Sequence, residues 1–400
     1  MTSNAAREVY LDHHATTPVD ERVLEAMLPF FTDKFGNPAS KANHSYGHEA
    51  HQRVERAREQ VADAIGARSA GEPVSKSVIF TSGATESDNL AVFGMARYAE
   101  TKGIGSHIVT TAIEHEAILE SCKRLEEGGF DVTYLPVDEF GQVDPASVEE
   151  AIGDDTFLVS IMAANNEIGT INPIREIGEI TADYDNLWFH TDAVQAIGAV
   201  EIDVNAMGID LMSISGHKIY GPNGIGALYA DLKTKGRLEP ILVGGGHESG
   251  KRSGTPNVPG IVGLAEATSL AVENRQTRVD HVKSLRDELW ERISEEIDTA
   301  ILNGHPENRL PNNLNVSFPT VNAKELVRMS LSERGVMAAL GSACTSGDDT
   351  SHVLEAISDD SDRIESAVRF GLGKDLEQED IEYAAETIIE EVKLTESIFG

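Results

Sequence analysis

A chain of 400 residues, 40% hydrophobic and 25% charged, is long enough for two domains that share a buried interface. Its 67 acidic and 33 basic residues give a net charge of −34 at pH 7, which excludes a broad basic face for nucleic acid. Two cysteines, Cys122 and Cys344, exclude a disulfide framework and a Cys-x-x-Cys metal pair, and no apolar run approaches the roughly 20 residues that span a bilayer.

The acids are spread along the chain, as in "EEIDTA", "ISDDSDRIES" and "DLEQEDIEY", so the charge belongs to the whole surface. At ordinary ionic strength such self-repulsion weakens a fold. Molar salt shrinks the Debye length to about 3 Å and removes that penalty, so a salt-rich, halophilic cytoplasm is the expected setting. The start, "MTSNAAREVY", is polar and lacks the apolar core of a secretion signal, which fits a cytoplasmic protein without a membrane anchor.

In chain order, "NHSYGHEAHQRVERAREQ" opens a helix on which His44, His48 and His51 share one face. Imidazoles so spaced can bind zinc, but no carboxylate or cysteine completes the set, and surface histidines are the simpler reading; no metal is expected. From about residue 50 to 230, helical patterns alternate with short apolar strands. These are "SVIFTS" (77–82), "HIVTTA" (107–112), "DVTYLP" (131–136), "FLVSIMAA" (157–164), "LWFHTDA" (187–193), "LMSISG" (211–216) and "GIGALYA" (224–230). Runs of Val, Ile and Leu without polar alternation suit strands buried on both faces. The fold class is therefore α/β, with a mostly parallel seven-stranded sheet covered by helices. In "EAILESCKRLEEGG", Ile118, Leu119, Cys122 and Leu125 mark one helical face, which makes Cys122 a core thiol. A long charged helix is expected over about 268–297. The strands "TAILNG" and "NNLNVSF" and the amphipathic "EDIEYAAETIIEEVKLTESIF" follow, a smaller α+β domain from about residue 270.

Several chemically active residues fall at the carboxyl ends of the predicted strands, where open α/β sheets bind ligands. "FTSGATESDNL" runs from a strand through Ser82, Gly83, Ala84 and Thr85 into a helix, a setting that favours a phosphate but also opens many ordinary helices. "AIEHEAI" places His115 after a strand, either as a packing residue or as a ring that stacks and exchanges protons near pH 7. "HTDAVQAIG" supplies Asp192 and Gln195; Asp192 either caps a turn or keeps a pyridine nitrogen protonated. "SISGHKIYGPNGIGALY" sets Lys218 between small residues and a glycine–proline turn, which suits a lysine that forms an imine. Jointly these four describe a pyridoxal 5′-phosphate site. "GPNGIG" enters a strand and is not a dinucleotide finger. Cys344 lies in "ALGSACTSGDDTS", a glycine- and serine-rich stretch without helical or strand period, which suits a loop that carries a thiol.

In order along nearly the full chain, "YLDHHATTPVDERV", "FGNPAS", "FTSGATESDNLA", "NNEIGTINPI", "HTDAVQAIG", "DLMSISGHKIYGPNGIGALY", "GGGHESGKRSGTPNV", "NNLNVSF", "GSACTSG" and "AVRFGLG" resemble the cysteine desulfurases. These are class V aminotransferase-like, fold-type I pyridoxal-phosphate enzymes, and the cysteine stretch resembles their group I. The resemblance implies a large domain over residues 15–268 and a small one built from 1–14 and 269–400. It implies that Lys218 is the Schiff-base lysine, Cys344 the sulfur-accepting nucleophile, and His115 a ring-stacking proton carrier. Ala84, Thr85, Ser215 and His217 would hold the phosphate, with Thr255 reaching across a homodimer. Asp192 would pair with the ring nitrogen, Gln195 with the ring hydroxyl, and Asn166 and Arg369 with the substrate carboxylate. The implied reaction converts L-cysteine to L-alanine and a Cys344 persulfide, which passes to an iron–sulfur scaffold or a tRNA-thiolating enzyme. A selenocysteine lyase, a class V aminotransferase and a non-catalytic partner-binding scaffold are the alternatives. One departure stands out: "TSGDDTSHVLEAI" is slightly shorter than common group-I loops and carries Asp348 and Asp349.

Overall fold

The computed structural model describes residues 7–67, 74–341 and 350–399. Seven strands form the larger sheet: β1 (Val78–Thr81), β2 (His107–Thr111), β3 (Asp131–Leu135), β4 (Thr156–Ser160), β5 (Trp188–Asp192), β6 (Leu211–Ser215) and β7 (Gly226–Ala230). Their order across the sheet is β1-β7-β6-β5-β4-β2-β3. β7 is antiparallel to both β1 and β6, and every other pairing is parallel. Six strands therefore run one way and β7 alone opposes them, so six carboxyl ends open on one edge.

The apolar runs settle which faces are buried. In β4 every residue is buried, with Leu158 packing toward one face and Val159 toward the other. One face is covered by α1 (Ser45–Ala64) and the other by α2 (Ala84–Lys102) and α3 (Glu116–Glu126). Fully burying such side chains contributes about 1.5–3 kcal/mol each. The strand expected over 157–164 leaves the regular ladder after Ser160. Ile161 and Ala163 still donate to the His190 and Asp192 carbonyls at 3.1 and 2.9 Å, carrying the chain along β5 toward the sheet's open edge. Cys122 lies in α3 with no exposed surface, and burial pushes its thiol up to about 12, a neutral packing group.

The long charged helix starts later than the sequence predicts. Residues 268–273 belong to a buried helix, α4 (Val258–Glu273), and α5 (Arg275–Glu296) begins after Asn274. Asn274 leaves helical geometry at φ −101° and ψ 11°, which ends the apolar helix and re-aims the charged one. A second sheet follows: β8 (Ile301–Asn303), β9 (Asn313–Ser317), β10 (Ala339–Leu340) and β11 (Ala367–Gly371), ordered β10-β11-β9-β8 and wholly antiparallel. With α5 and α7 (Gln378–Phe399) it encloses a separate apolar core that also takes Val9 and Leu11. The N-terminal segment thus starts on the small sheet, where Gly371 donates to the Leu11 carbonyl at 2.6 Å. It then crosses to the large one. Among the described residues no helix is long and apolar enough to cross a membrane.

Candidate active site

Beyond the carboxyl ends of β1, β2, β4, β5 and β6 lies a cavity of about 460 Å³, within the range of small-ligand sites. Lys218 stands on its wall, three residues past the end of β6. Its Nζ donates to the carbonyls of His14 and Ala15 at 2.5 and 2.8 Å, so the crossing N-terminal segment holds the amine in place. Two residues on, Tyr220 has φ +64°, a left-handed conformation that costs a bulky residue on the order of 1–3 kcal/mol. Three contacts hold it there. Its N–H donates to Thr17 Oγ1 at 2.8 Å, its carbonyl accepts from the Asp20 N–H at 3.0 Å, and its hydroxyl accepts from the Lys374 N–H at 2.7 Å. The rigid surroundings that the sequence shows around this lysine are thus anchored from both sheets.

At the far end, Ser82 and Gly83 lead into α2, whose first residues Ala84 and Thr85 line the cavity. β7 begins directly beneath: a Cβ on Gly226 would lie 2.8 Å from the Gly83 Cα, so only glycine permits this approach. Glu86 accepts from the Ser82 N–H at 2.7 Å and from Arg252 Nε at 2.7 Å. Burial opposes its charge, but Arg252 and Ser82 outweigh burial and hold the carboxyl below its usual range. Ser215 and His217 complete this end. Burial, then the Lys218 charge, pushes His217 down to about 4, so it is neutral at pH 7. Thr255 is exposed ahead of α4 and is not among the residues lining this chain's cavity.

The floor is acidic. Asp192 is buried at the end of β5, where one oxygen accepts from the Val194 N–H at 2.9 Å. Burial raises its carboxyl above the usual range, partly offset by His115 and Lys218. His115 caps α3: its Nδ1 accepts from the Ala117 N–H at 3.1 Å, which leaves the ring proton on Nε2 when neutral. Gln195 also lines the cavity, with Oε1 2.9 Å from His14 Nδ1. Burial, then Arg369, pushes His14 down to about 3.

The opposite wall is cationic. Arg369 projects from β11 and is almost wholly buried. Nη1 donates to the Asn166 carbonyl and Nη2 to Asp12 Oδ1, both at 3.0 Å, while Nε finds no partner among the described residues. An unsatisfied guanidinium N–H costs about 1–3 kcal/mol, more where the charge is confined, unless a ligand meets it. Cys344 lies outside the described residues.

These residues fit pyridoxal 5′-phosphate with a bound amino acid. Asp192 is a buried carboxylate suited to a protonated ring nitrogen. The Ser82–Thr85 loop at a helix N-terminus suits a phosphate. Arg369 Nε suits a carboxylate. Sequence reasoning missed His14 and the carbonyls of His14 and Ala15, although it singled out the "LDHHATT" segment that holds them. It also missed three buried acids near the site, Asp88, Glu114 and Glu167. Of the three histidines on the N-terminal helical face, His44 caps α1 and His51 lies 3.2 Å from Lys41 Nζ. Among the described residues no group of three or more His, Cys, Asp or Glu is placed to hold a metal.

The class-V aminotransferase family model matches residues 9–384. A cysteine desulfurase IscS of Anaeromyxobacter dehalogenans (strain 2CP-C) is 48% identical over 386 residues, covering 96% of this chain and 92% of the relative. The solved structure of a NifS-like protein superposes with a TM-score of 0.89 at 38% identity, covering 97% of this chain and all of that one. A structure of SspA in complex with cysteine superposes with a TM-score of 0.78 at 38% identity, covering 91% of this chain and 98% of that one. With this match over nearly its whole length and a cavity suited to the cofactor of that family, the chain belongs to the cysteine desulfurases, pyridoxal-phosphate-dependent members of the class-V aminotransferases.

Proposed function

We propose that this protein takes sulfur from L-cysteine, releasing L-alanine and leaving a persulfide on Cys344. The observation that carries the reading is one cavity lined together by Lys218, the buried Asp192 carboxyl and Arg369, whose Nε has no partner among the described residues. Arg369 and Asn166 bind the substrate carboxylate, which points the amine toward Lys218. Lys218, which would hold the cofactor, is placed to take the α-proton of the bound substrate and to return it to the same carbon. Pyridoxal 5′-phosphate held there would supply an acceptor for electron density from the α-carbon, which would make the substrate sulfur transferable. His115 Nε2 exchanges protons with the incoming thiol, since a thiolate is the reactive form. Cys344 attacks the substrate sulfur: an S–S bond forms, the Cβ–S bond breaks, and Cβ takes a proton to become the methyl of alanine.

The working form in this reading is a homodimer in which Thr255 serves the neighbouring copy's phosphate end. Supporting it, Leu24, Leu28, Phe31, Phe35 and Tyr46 leave exposed apolar side chains over residues 24–46 of an otherwise strongly acidic protein. The persulfide then serves an iron–sulfur scaffold or a tRNA-thiolating enzyme in a salt-rich cytoplasm. The test is mass spectrometry after incubation with L-cysteine. One added sulfur is expected on the peptide containing Cys344, and none in Cys344→Ala. Full conversion of cysteine to alanine by Cys344→Ala would refute the nucleophile assignment.

A further inference from the structure

Glu167 follows Asn166 in the turn between β4 and the next helix, and it is almost wholly buried. Its position is tightly determined. Its N–H donates to Asn165 Oδ1 at 2.8 Å, and its carbonyl accepts from the side-chain amides of Asn313 and Asn315, each at 3.1 Å. A turn fixed to β9 in this way presents its carboxyl group at one defined place.

That carboxyl meets Gly341, the described residue just before positions 342–349, and Ser351, the second residue after them. Ser351 Oγ donates to Glu167 Oε2 at 2.6 Å. On the other flank, a Cβ built on Gly341 would lie 2.7 Å from the same Oε2, so the carboxylate fills the space that a side chain would need. The helix after this flank, α6 (His352–Ile357), is docked by the same part of the molecule. His352 Nε2 lies 3.1 Å from the Glu114 carbonyl, and Val353, Leu354 and Ile357 pack with Ile113, Met162 and Ile168. Ile113 and Glu114 precede His115; Ile168 follows Asn166 by two residues. The turns that carry two cavity residues therefore also hold the ends of the segment that carries Cys344.

A surface hydrogen bond would not call for a buried acid. Burial pushes Glu167 above the usual carboxylate range, offset by Ser351 and by the nearby His352, Arg369 and His115. An acceptor kept in so unfavourable a place, against a glycine on one side and a serine donor on the other, is a joint between two parts of the chain.

We propose that Glu167 is a positioning residue: it ties Gly341 and Ser351 to the Asn166 turn and so sets the two anchor points between which Cys344 lies in the sequence. The proposal rests on Cys344 being the sulfur acceptor. It concerns sulfur transfer and not cofactor binding, so the two should separate. In the cofactor-loaded enzyme, Glu167→Ala should slow the appearance of the added sulfur on the Cys344 peptide by about 10- to 100-fold, the range expected from ångström-scale misplacement. Equilibrium cofactor affinity, read from visible absorbance, should stay at the wild-type value. Glu167→Gln keeps an oxygen acceptor for Ser351 and should restore the rate. Gly341→Ala, which collides with Oε2, and Ser351→Ala, which removes the donor, should slow the same step and carry the test if Glu167→Ala does not fold. Gly341→Ala should add nothing further once Glu167 is alanine. Wild-type rates in all three single variants, or a parallel loss of cofactor affinity, would overturn the positioning role. A wild-type protein with no added sulfur on that peptide would instead refute the assignment of Cys344.

Discussion

Glu114 offers a test in which both sign and size follow from the structure. It is wholly buried in the turn between β2 and α3, with Oε1 accepting from Thr111 Oγ1 at 2.7 Å and from the Met162 N–H at 2.9 Å. Oε2 has no partner. Burial is the main cause that pushes the carboxyl from 4.5 to about 8, with the two donors opposing it. A carboxyl raised on folding binds its proton more tightly in the folded state. Between pH 4.5 and 8 the folded chain therefore holds more protons than the unfolded one, and stability falls as pH rises through that window. Below it the penalty is absent; above it the penalty is complete, at most roughly 4–5 kcal/mol at about 1.4 kcal/mol per pH unit. Glu114→Gln keeps the acceptor for Thr111 and Met162 and cannot ionise. Urea unfolding of the cofactor-free protein should place wild type and variant within about 1 kcal/mol near pH 5. By pH 8.5 the variant should be more stable by a few kcal/mol. Stability curves that stay parallel from pH 5 to 8.5 would show that Glu114 is not held protonated by burial, and the reasoning would fail.

Three further outcomes are expected. Arg369→Met keeps most of the buried stem but removes the unpartnered Nε, so KM for L-cysteine should rise about 10- to 150-fold for the loss of one charge-assisted bond of about 1.5–3 kcal/mol. Steady-state kinetics showing an unchanged KM would remove Arg369 from the substrate site. The melting temperature should climb between low and molar KCl, since screening relieves the repulsion of a −34 charge; scanning calorimetry showing no rise would count against a halophilic setting. Sedimentation should find a dimer that Phe31→Asp combined with Phe35→Asp splits, and a wild-type monomer would leave Thr255 without its proposed role.

The seven strands of the large sheet were legible because each is a short apolar run buried on both faces, a pattern that periodicity reports directly. Lys218, Asp192 and His115 were legible because a strand end followed by a turn is a local feature. The joint between helices at Asn274 was not: the residues on either side both favour helix, and only the change from apolar to charged face marks the break. Nor were the carbonyls of His14 and Ala15. A backbone acceptor that meets a lysine 204 and 203 positions away leaves no mark on the side chains of either segment. Glu114 and Glu167 stood inside quoted motifs, yet in a chain with 67 acids one more glutamate reads as surface until its burial is known. Composition hid them.

What sets the site apart physically is how many costs the fold concentrates there. Tyr220 sits at positive φ, Arg369 buries an unpartnered N–H, and Asp192 buries a carboxylate without a full cation partner. The costs of Arg369 and Asp192 correspond to groups that a ring nitrogen and a substrate carboxylate would supply. A ligand that binds only the folded state adds more stability the tighter it binds, so in the proposed reading cofactor and substrate would offset these costs. Asp88 differs. Both its oxygens are buried, with the Ser213 hydroxyl as a weak donor nearby and His190 at 3.7 Å. Burial and then Asp192 drive its carboxyl well above the usual range. Burial also pushes His190 down to about 3, so the imidazole of this contact is neutral at pH 7. Burial and the neighbouring Asp192 thus both favour a proton on Asp88, which lessens the negative charge beneath the floor of the cavity and leaves Asp192, at the cavity surface, as the acid that a protonated ring would meet.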